Sequence, residues 1–194
     1  FSDAVVSIAD DDSQSAEYAE KIYRTARSAA ELIDNVGGTV KMLQKEEGEP
    51  SVRELEPILT GVVRDVETKF EELTVEYDPE AFEYEAYAGD LLDSVFTNIL
   101  SNATVHNELP VTVRLYAEEP TAETVVVGMA DNGKGVADEV RDEIFEMGQK
   151  GPDSEGTGFG LGLARTLVES YGGSVALRDS EYGGADFRIA LERA

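Results

Sequence analysis

The sequence predicts an α+β domain, a mixed β-sheet with three helices on one face, preceded by one long helix. Three observations predict it. Over residues 14–45 apolar or small residues recur at alternating steps of three and four, the seam of a heptad repeat. Beyond residue 51 short alternating segments are interspersed with helical ones. Several of those segments are joined by turns short enough for hairpins, which disfavours an all-parallel doubly wound sheet and favours a mixed one.

The seam of the first helix is Ala19, Ile22, Ala26, Ala29, Ile33, Val36, Val40 and Leu43, with Gly37 and Gly38 allowing a bend. One helix cannot bury such a stripe alone, so the pattern predicts a coiled coil or four-helix bundle. "KEEGEPS" at 45–51 ends it, with Gly48 and Pro50 as breakers. The boundary divides the chain into a helical segment, 1–48, and a second domain, 49–194. Residues 51–55 predict a short strand, and Pro57 suits the first turn of a helix running to about Phe70. "LTVEYD" and "FEYEAYA" alternate as strands, and residues 90–105 predict a helix. "PVTVRLYAEE" and "ETVVVGMAD" predict a hairpin around "PTA". A helix follows Gly160, and "GSVALRD" and "ADFRIAL", joined by "SEYGG", close the chain as strands.

Composition narrows the function. The 194 residues carry 41 acidic and 16 basic side chains, a net charge of −25. Such a chain repels nucleic acid and anionic membrane, and no apolar run is long enough to span a bilayer. The sequence therefore predicts no nucleic-acid partner and no direct membrane contact. With no cysteine, disulfides and thiol chemistry are excluded, which fits a cytoplasmic location. A single histidine makes a zinc site unfavourable. The acids are dispersed, and lysines number six against ten arginines. A salt-rich cytoplasm tolerates that surface because screening removes its self-repulsion, so a halophilic source is expected.

Three segments carry chemistry. In "DLLDSVFTNILSNATVHN" the residues Leu91, Leu92, Val95, Phe96, Ile99 and Leu100 make an apolar face, and Asn98 and Asn102, four apart, share another. Amide oxygens suit a hard cation such as Mg²⁺, although solvent exposure would explain either asparagine alone. In "VVVGMADNGKGV" a buried strand runs into Asp131, where an unpaired carboxylate is costly to bury. A purine amine would pair it, and Gly133 and Gly135 permit positive φ or close approach, although "NG" is also an ordinary turn. In "GTGFGLGLARTLVESYGG" glycines stand at 156, 158, 160 and 162, and a helix follows. Such a turn offers backbone N–H groups and a helix dipole to phosphate. It is neither a Walker motif, lacking G-K-[ST], nor a Rossmann turn following directly on a strand.

In order and spacing these segments resemble the asparagine box and two glycine boxes of the ATPase fold shared by histidine kinases, DNA gyrase, large heat-shock chaperones and MutL proteins. "IFEMGQKG" at 144–151 resembles the phenylalanine box of histidine kinases. The resemblance covers about residues 51–194, and the helix at 14–45 resembles the second helix of a dimerisation and phosphotransfer segment. "NATVHN" and the acidic balance look most like haloarchaeal members. The resemblance implies a histidine kinase-type sandwich that binds ATP and Mg²⁺. Asp131 would accept the adenine amino group, with Gly133 and Gly135 admitting the base. Residues 134–155 would be a lid over the phosphates, anchored by Phe145. Gly156, Thr157, Gly158, Phe159, Gly160, Leu161 and Gly162 would form the phosphate turn, and Asn102, with Asn98 beside it, would hold Mg²⁺. The chain departs from the family pattern at three places. Val105 stands where a phosphate-contacting lysine is common, leaving Lys150 as a substitute; His106 stands where an aromatic often lies against adenine; and Ala185 replaces a frequent threonine.

A histidine kinase passes the ATP γ-phosphate to a histidine of its dimerisation segment and then to an aspartate of a response-regulator receiver domain. His106 lies in the nucleotide-binding helix and is not that acceptor. The expectation is therefore a fragment whose acceptor lies upstream of Phe1, and whose 14–45 helix supplies part of a homodimer. The alternatives are a non-catalytic ATP-responsive scaffold, or a serine kinase of the anti-sigma type, against which the long heptad segment speaks.

Overall fold

A computed structural model describes Tyr18, Lys21, Ile22, Thr25 and residues 49–107, 110–118, 121–141, 143–146 and 158–194. The four early residues are helical and exposed. The rest of the long helix and its seam lies outside the described residues. The continuous part begins with β1 (Ser51–Glu54), which runs directly into α1 (Leu55–Lys69). Pro57 sits in the first turn of α1, where its missing N–H costs nothing, and Lys69 lies in the last turn, where a cation suits the dipole. Then come β2 (Leu73–Glu76), β3 (Glu85–Ala88), α2 (Leu92–His106), β4 (Val111–Ala117), β5 (Thr124–Asp131), α3 (Gly160–Ser170), β6 (Ser174–Asp179) and β7 (Ala185–Glu192).

The main sheet has five strands in the order β2-β4-β5-β7-β6. β2 runs parallel to β4, and the other neighbours are antiparallel. The mixed sheet and three helices expected from the sequence are thus present. Two details differ. β1 and β3 leave the main sheet and pair with each other as a separate two-stranded ribbon. "FEYEAYA" becomes strand only from Glu85, because Asp78 caps a 3₁₀ turn at Pro79–Phe82 by accepting the Glu80 N–H at 3.1 Å. Phe82 at the end of that turn is fully buried.

Strand alternation sorts the sheet into two faces. Val113, Leu115, Val125, Val127, Met129, Phe187, Ile189 and Leu191 face the helices and are buried with Leu59, Phe96, Leu100 and Leu167 in one core. Each such side chain contributes about 1.5–3 kcal/mol of burial. Asp131 has the parity of Val127 and Met129, so the fold delivers its carboxylate to the helix side of the sheet, at the end of β5. Among the described residues no helix is long and apolar enough to cross a membrane.

Candidate functional site

Asp131 is only 4% exposed, and the protein supplies the polar partners its burial requires. Its Oδ1 accepts the backbone N–H of Gly133 at 2.8 Å and that of Ala185, the first residue of β7, at 3.2 Å. Burial raises its pKa above the ordinary 3.8, while the Gly133 and Ala185 amides and the Asn107 side chain pull in the opposite direction. A carboxylate oriented by backbone donors and withheld from water is equipped to recognise a ligand N–H.

The turn after Asp131 is braced from three sides. Asn132 pairs with β4: its N–H donates to the Thr112 carbonyl at 3.2 Å, and its Oδ1 accepts the Thr112 N–H at 2.9 Å. Asn107, just past α2, donates Nδ2 to the Ala103 carbonyl at 2.9 Å and accepts the Lys134 N–H at the same distance. A Cβ on Gly133 would overlap the Asn107 amide, so the glycine is required by close packing. Gly135 has φ +71°, the left-handed conformation that glycine adopts without strain.

Gly184 completes the cradle. A Cβ there would overlap the Asp131 carboxylate and fall 2.6 Å from the Gly133 nitrogen. Neither Gly184 nor Asn107 is legible as a site residue in the sequence. Gly184 reads as half of a "GG" turn, and Asn107 as a helix stop; the contacts that give them a role join segments far apart in the chain.

Asn98 and Asn102 lie half-buried on α2, as their spacing predicts. The Asn98 Oδ1 faces the start of α3, where a Cβ on Gly160 would come within 3.1 Å of it. α3 opens with Phe159 at its N-cap and no side-chain cap. Its first N–H groups therefore lack the usual side-chain acceptor, as an anion-binding helix start requires. Gly158 has φ +74°, Gly162 is buried, and Leu161 packs against the core. The structure thus brings Asn98, Gly158, Phe159, Gly160, Leu161 and Gly162 together around one helix start. Lys150, Gly156 and Thr157 lie outside the described residues, and so does the His106 ring, although His106 is the last residue of α2.

Of the segment read as a lid, Lys134–Arg141 and Glu143–Glu146 are described. Phe145 meets Phe187 of β7 edge-to-face, with ring centroids 6.3 Å apart, and the Arg165 guanidinium lies 5.7 Å above its ring. Arg141 donates to the Val136 carbonyl and pairs with Asp138 and Asp179.

Residues 88–194, more than half of the chain, match the family described as histidine kinase-, DNA gyrase B-, and HSP90-like ATPase. The chain belongs to this ATPase family. It is 31% identical over 148 residues to the sensor histidine kinase AruS of Pseudomonas aeruginosa, a match covering 72% of this chain and 15% of AruS. It is 24% identical over 193 residues to the sensor protein KdpD of Clostridium acetobutylicum, covering 94% of this chain and 21% of KdpD. The chain therefore spans a small share of the curated relatives it matches. Among solved structures, the ATP-binding domain of PrrB from Mycobacterium tuberculosis shares its fold, with a TM-score of 0.64, 22% identity, and coverage of 76% of this chain and 99% of that one. Full-length ShkA, solved with AMPPNP, superposes with a TM-score of 0.70 at 22% identity, covering 100% of this chain and 42% of ShkA. The matched region is the ATP-binding catalytic domain that sensor histidine kinases share.

Proposed function

We propose that this chain is the catalytic region of a two-component sensor histidine kinase. It would transfer the ATP γ-phosphate to a histidine outside residues 1–194, for delivery to an aspartate on a response-regulator receiver domain. The observation that carries the reading is the buried Asp131 carboxylate, held at Oδ1 by two backbone amides at the end of β5. Oδ2 would accept the adenine amino group. Gly133, Gly135 and Gly184 keep the approach clear, and the uncapped start of α3 with Gly158, Gly160 and Gly162 receives the phosphates. His106, Lys150, Gly156 and Thr157 belong to the same proposed site on sequence grounds.

The donor chemistry of α2 fits Mg²⁺. Asn98 and Asn102, four apart on one helix, offer neutral amide oxygens, that of Asn98 facing the start of α3, and a hard cation accepts oxygen ligands. Asn102 would hold the metal, with Asn98 next to it. The metal, when bound, supplies positive charge to the phosphate chain. The protein's own residues orient the base, fix the helix start, and close the lid through Phe145.

Titration calorimetry of the chain with ATP and GTP tests the function. Asp131 requires an amine at purine position 6, which GTP lacks, so ATP should bind at least about tenfold more tightly. Equal affinity for the two bases would remove Asp131 from the proposed role.

The proposed organisation is a dimerisation segment at 1–48 followed by the ATP-binding domain at 49–194, in a homodimer seamed through the first helix. The acidic, lysine-poor composition supports a halophilic, haloarchaeal-like cytoplasmic origin. Screening should then tighten the dimer as salt rises. Sedimentation of the parent and of Ile22→Glu at low and at molar salt checks both ideas together. A parent whose mass is salt-independent, and a variant that behaves like it, would rule them out.

A further inference from the structure

The face of the main sheet away from the helices carries a polar network that the nucleotide site does not use. Tyr116 of β4 lies across β5 at Gly128, its register partner, and its hydroxyl reaches the two carboxylate oxygens of Asp186 on β7 at 3.0 and 2.8 Å. Gly128 is a condition of this contact, because a Cβ there would overlap the Tyr116 ring. Asp186 and Arg188 are each only 9% exposed, although they stand on the outer face, and Arg188 pairs with Glu118. The buried Asp186 carboxylate accepts the Tyr116 hydroxyl and lies opposite Arg178 of β6, whose charge favours its ionised form.

Asp186 directly follows Ala185, the residue whose backbone N–H holds Asp131 Oδ1 at 3.2 Å. Alternation puts Asp131 on the inner face and Asp186 on the outer face of the same end of the sheet. We propose that Tyr116 and Asp186 are positioning residues for the Asp131 carboxylate: their bond on the outer face holds the first residues of β7 so that the Ala185 N–H stays on Oδ1 and Gly184 stays beneath it. This inference rests on the assignment of Asp131 to the base. Two electrostatic facts support it. Burial, and then the bond to Asp186, push the Tyr116 phenol up to about 12, so it remains a donor through the whole working pH range. Burial is the main cause raising the Asp186 pKa, the Tyr116 bond and the Arg178 charge pull it back, and the charges of Glu181 and, least, Asp131 add to the rise.

The test uses the full 194-residue chain with Tyr116→Phe, Asp186→Ala and Asp186→Asn, titrated with ATP and GTP. Tyr116→Phe and Asp186→Ala should lower the ATP/GTP preference about tenfold. Asp186→Asn keeps an acceptor for the phenol and should stay within about twofold of the parent. In Tyr116→Phe, hydrogen exchange at the Ala185 amide should quicken about tenfold, with Ile189 further along β7 unchanged. A parent that discriminates, with Tyr116→Phe and Asp186→Ala that discriminate equally well, overturns the inference and leaves the Asp131 assignment standing. Equal quickening at Ala185 and Ile189 also overturns it, since the bond then only stabilises the strand. Asp186→Asn as damaging as Asp186→Ala overturns the acceptor role. A parent with no base preference overturns the Asp131 assignment and this inference together.

Discussion

The two glycine turns of this ATPase domain are built on opposite principles. The first, at 131–135, is organised by side chains. Asp131, Asn132 and Asn107 each bond to backbone, and the glycines make room for those side chains. The second, around 158–162, is organised by backbone. Its helix start has no side-chain cap, and glycines stand at 158, 160 and 162. On the proposed assignment the difference matches two kinds of ligand chemistry. A base edge presents one donor in one direction, which a rigid carboxylate reads. A phosphate chain presents many acceptors, which a field of N–H groups and a helix dipole receive with less angular demand. Single substitutions should therefore cut deeply in the first turn and shallowly around the second.

The largest effect is expected at Asp131. Asp131→Asn keeps an oxygen for the Gly133 and Ala185 amides but turns an NH₂ toward the adenine amine. ATP affinity should fall by about 1–3 kcal/mol, roughly 5–150-fold. Stability of the empty protein should move the other way. Burial raises the folded pKa of Asp131 above its ordinary 3.8, so the folded state holds this proton more tightly than the unfolded chain. Stability is then lost as pH rises from the unfolded value through the folded one, and the cost persists at neutral pH. Asparagine has no charge to bury, so the variant should melt no lower than the parent at pH 7. A variant that melts lower and binds ATP normally would place Asp131 among structural residues and erase the contrast between the turns.

How much of this was legible beforehand follows the same division. The strand running into Asp131 and the helix carrying Asn98 and Asn102 were legible because their signals are local: an unbroken apolar run ending on a carboxylate, and an amphipathic period of 3.6. The positive φ of Gly135 and Gly158 fits the same local reading. The separation of β1 and β3 from the main sheet was not legible, because alternation reports a face but not a partner. The parallel pairing of Leu73 with Val111 was hidden for the same reason. The late start of β3 was hidden by Phe82, whose place in the alternation suits a strand while Asp78 draws it into a 3₁₀ turn. Gly184 and Asn107 escaped because their meaning lies in contacts with a turn distant in sequence. Both belong to the side-chain-built turn, which depends on long-range packing; the glycines of the backbone-built turn stand out in the sequence itself.

An intermediate effect is expected at Asn102. On the proposed assignment it belongs to the phosphate side, where the loss should be conditional on metal. Asn102→Ala should bind ADP without Mg²⁺ about as well as the parent, while the gain in ATP affinity on adding Mg²⁺ shrinks by about tenfold or more, since even outer-shell changes at metal sites cost about 10–100-fold. Parallel titrations with Mg²⁺ and with a chelator measure this. An unchanged Mg²⁺ dependence would move the metal ligand elsewhere.

The smallest effect on affinity should come from Phe145, which joins the segment after the first turn to the sheet. Its ring is half-buried, edge-on to Phe187 and under Arg165. An edge-to-face pair contributes about 0.5–1.5 kcal/mol beyond its area, and a half-buried ring adds less than a core one. Phe145→Ala should therefore cost about 1–2 kcal/mol of local stability. The ring's partners, Phe187 and Arg165, are neither Asp131 nor the first residues of α3, so ATP affinity should change by less than about threefold. Hydrogen exchange resolves the two quantities in one experiment. Amides of 136–141 and 143–146 should exchange faster in the variant without nucleotide, while those of β5 and β7 should not. If exchange accelerates equally at Met129 and Phe187, the ring is a core residue of the sheet and not a local anchor. If exchange is unchanged but ATP affinity collapses, Phe145 acts on the nucleotide directly, and the shallow side of the comparison contains a deep contact after all.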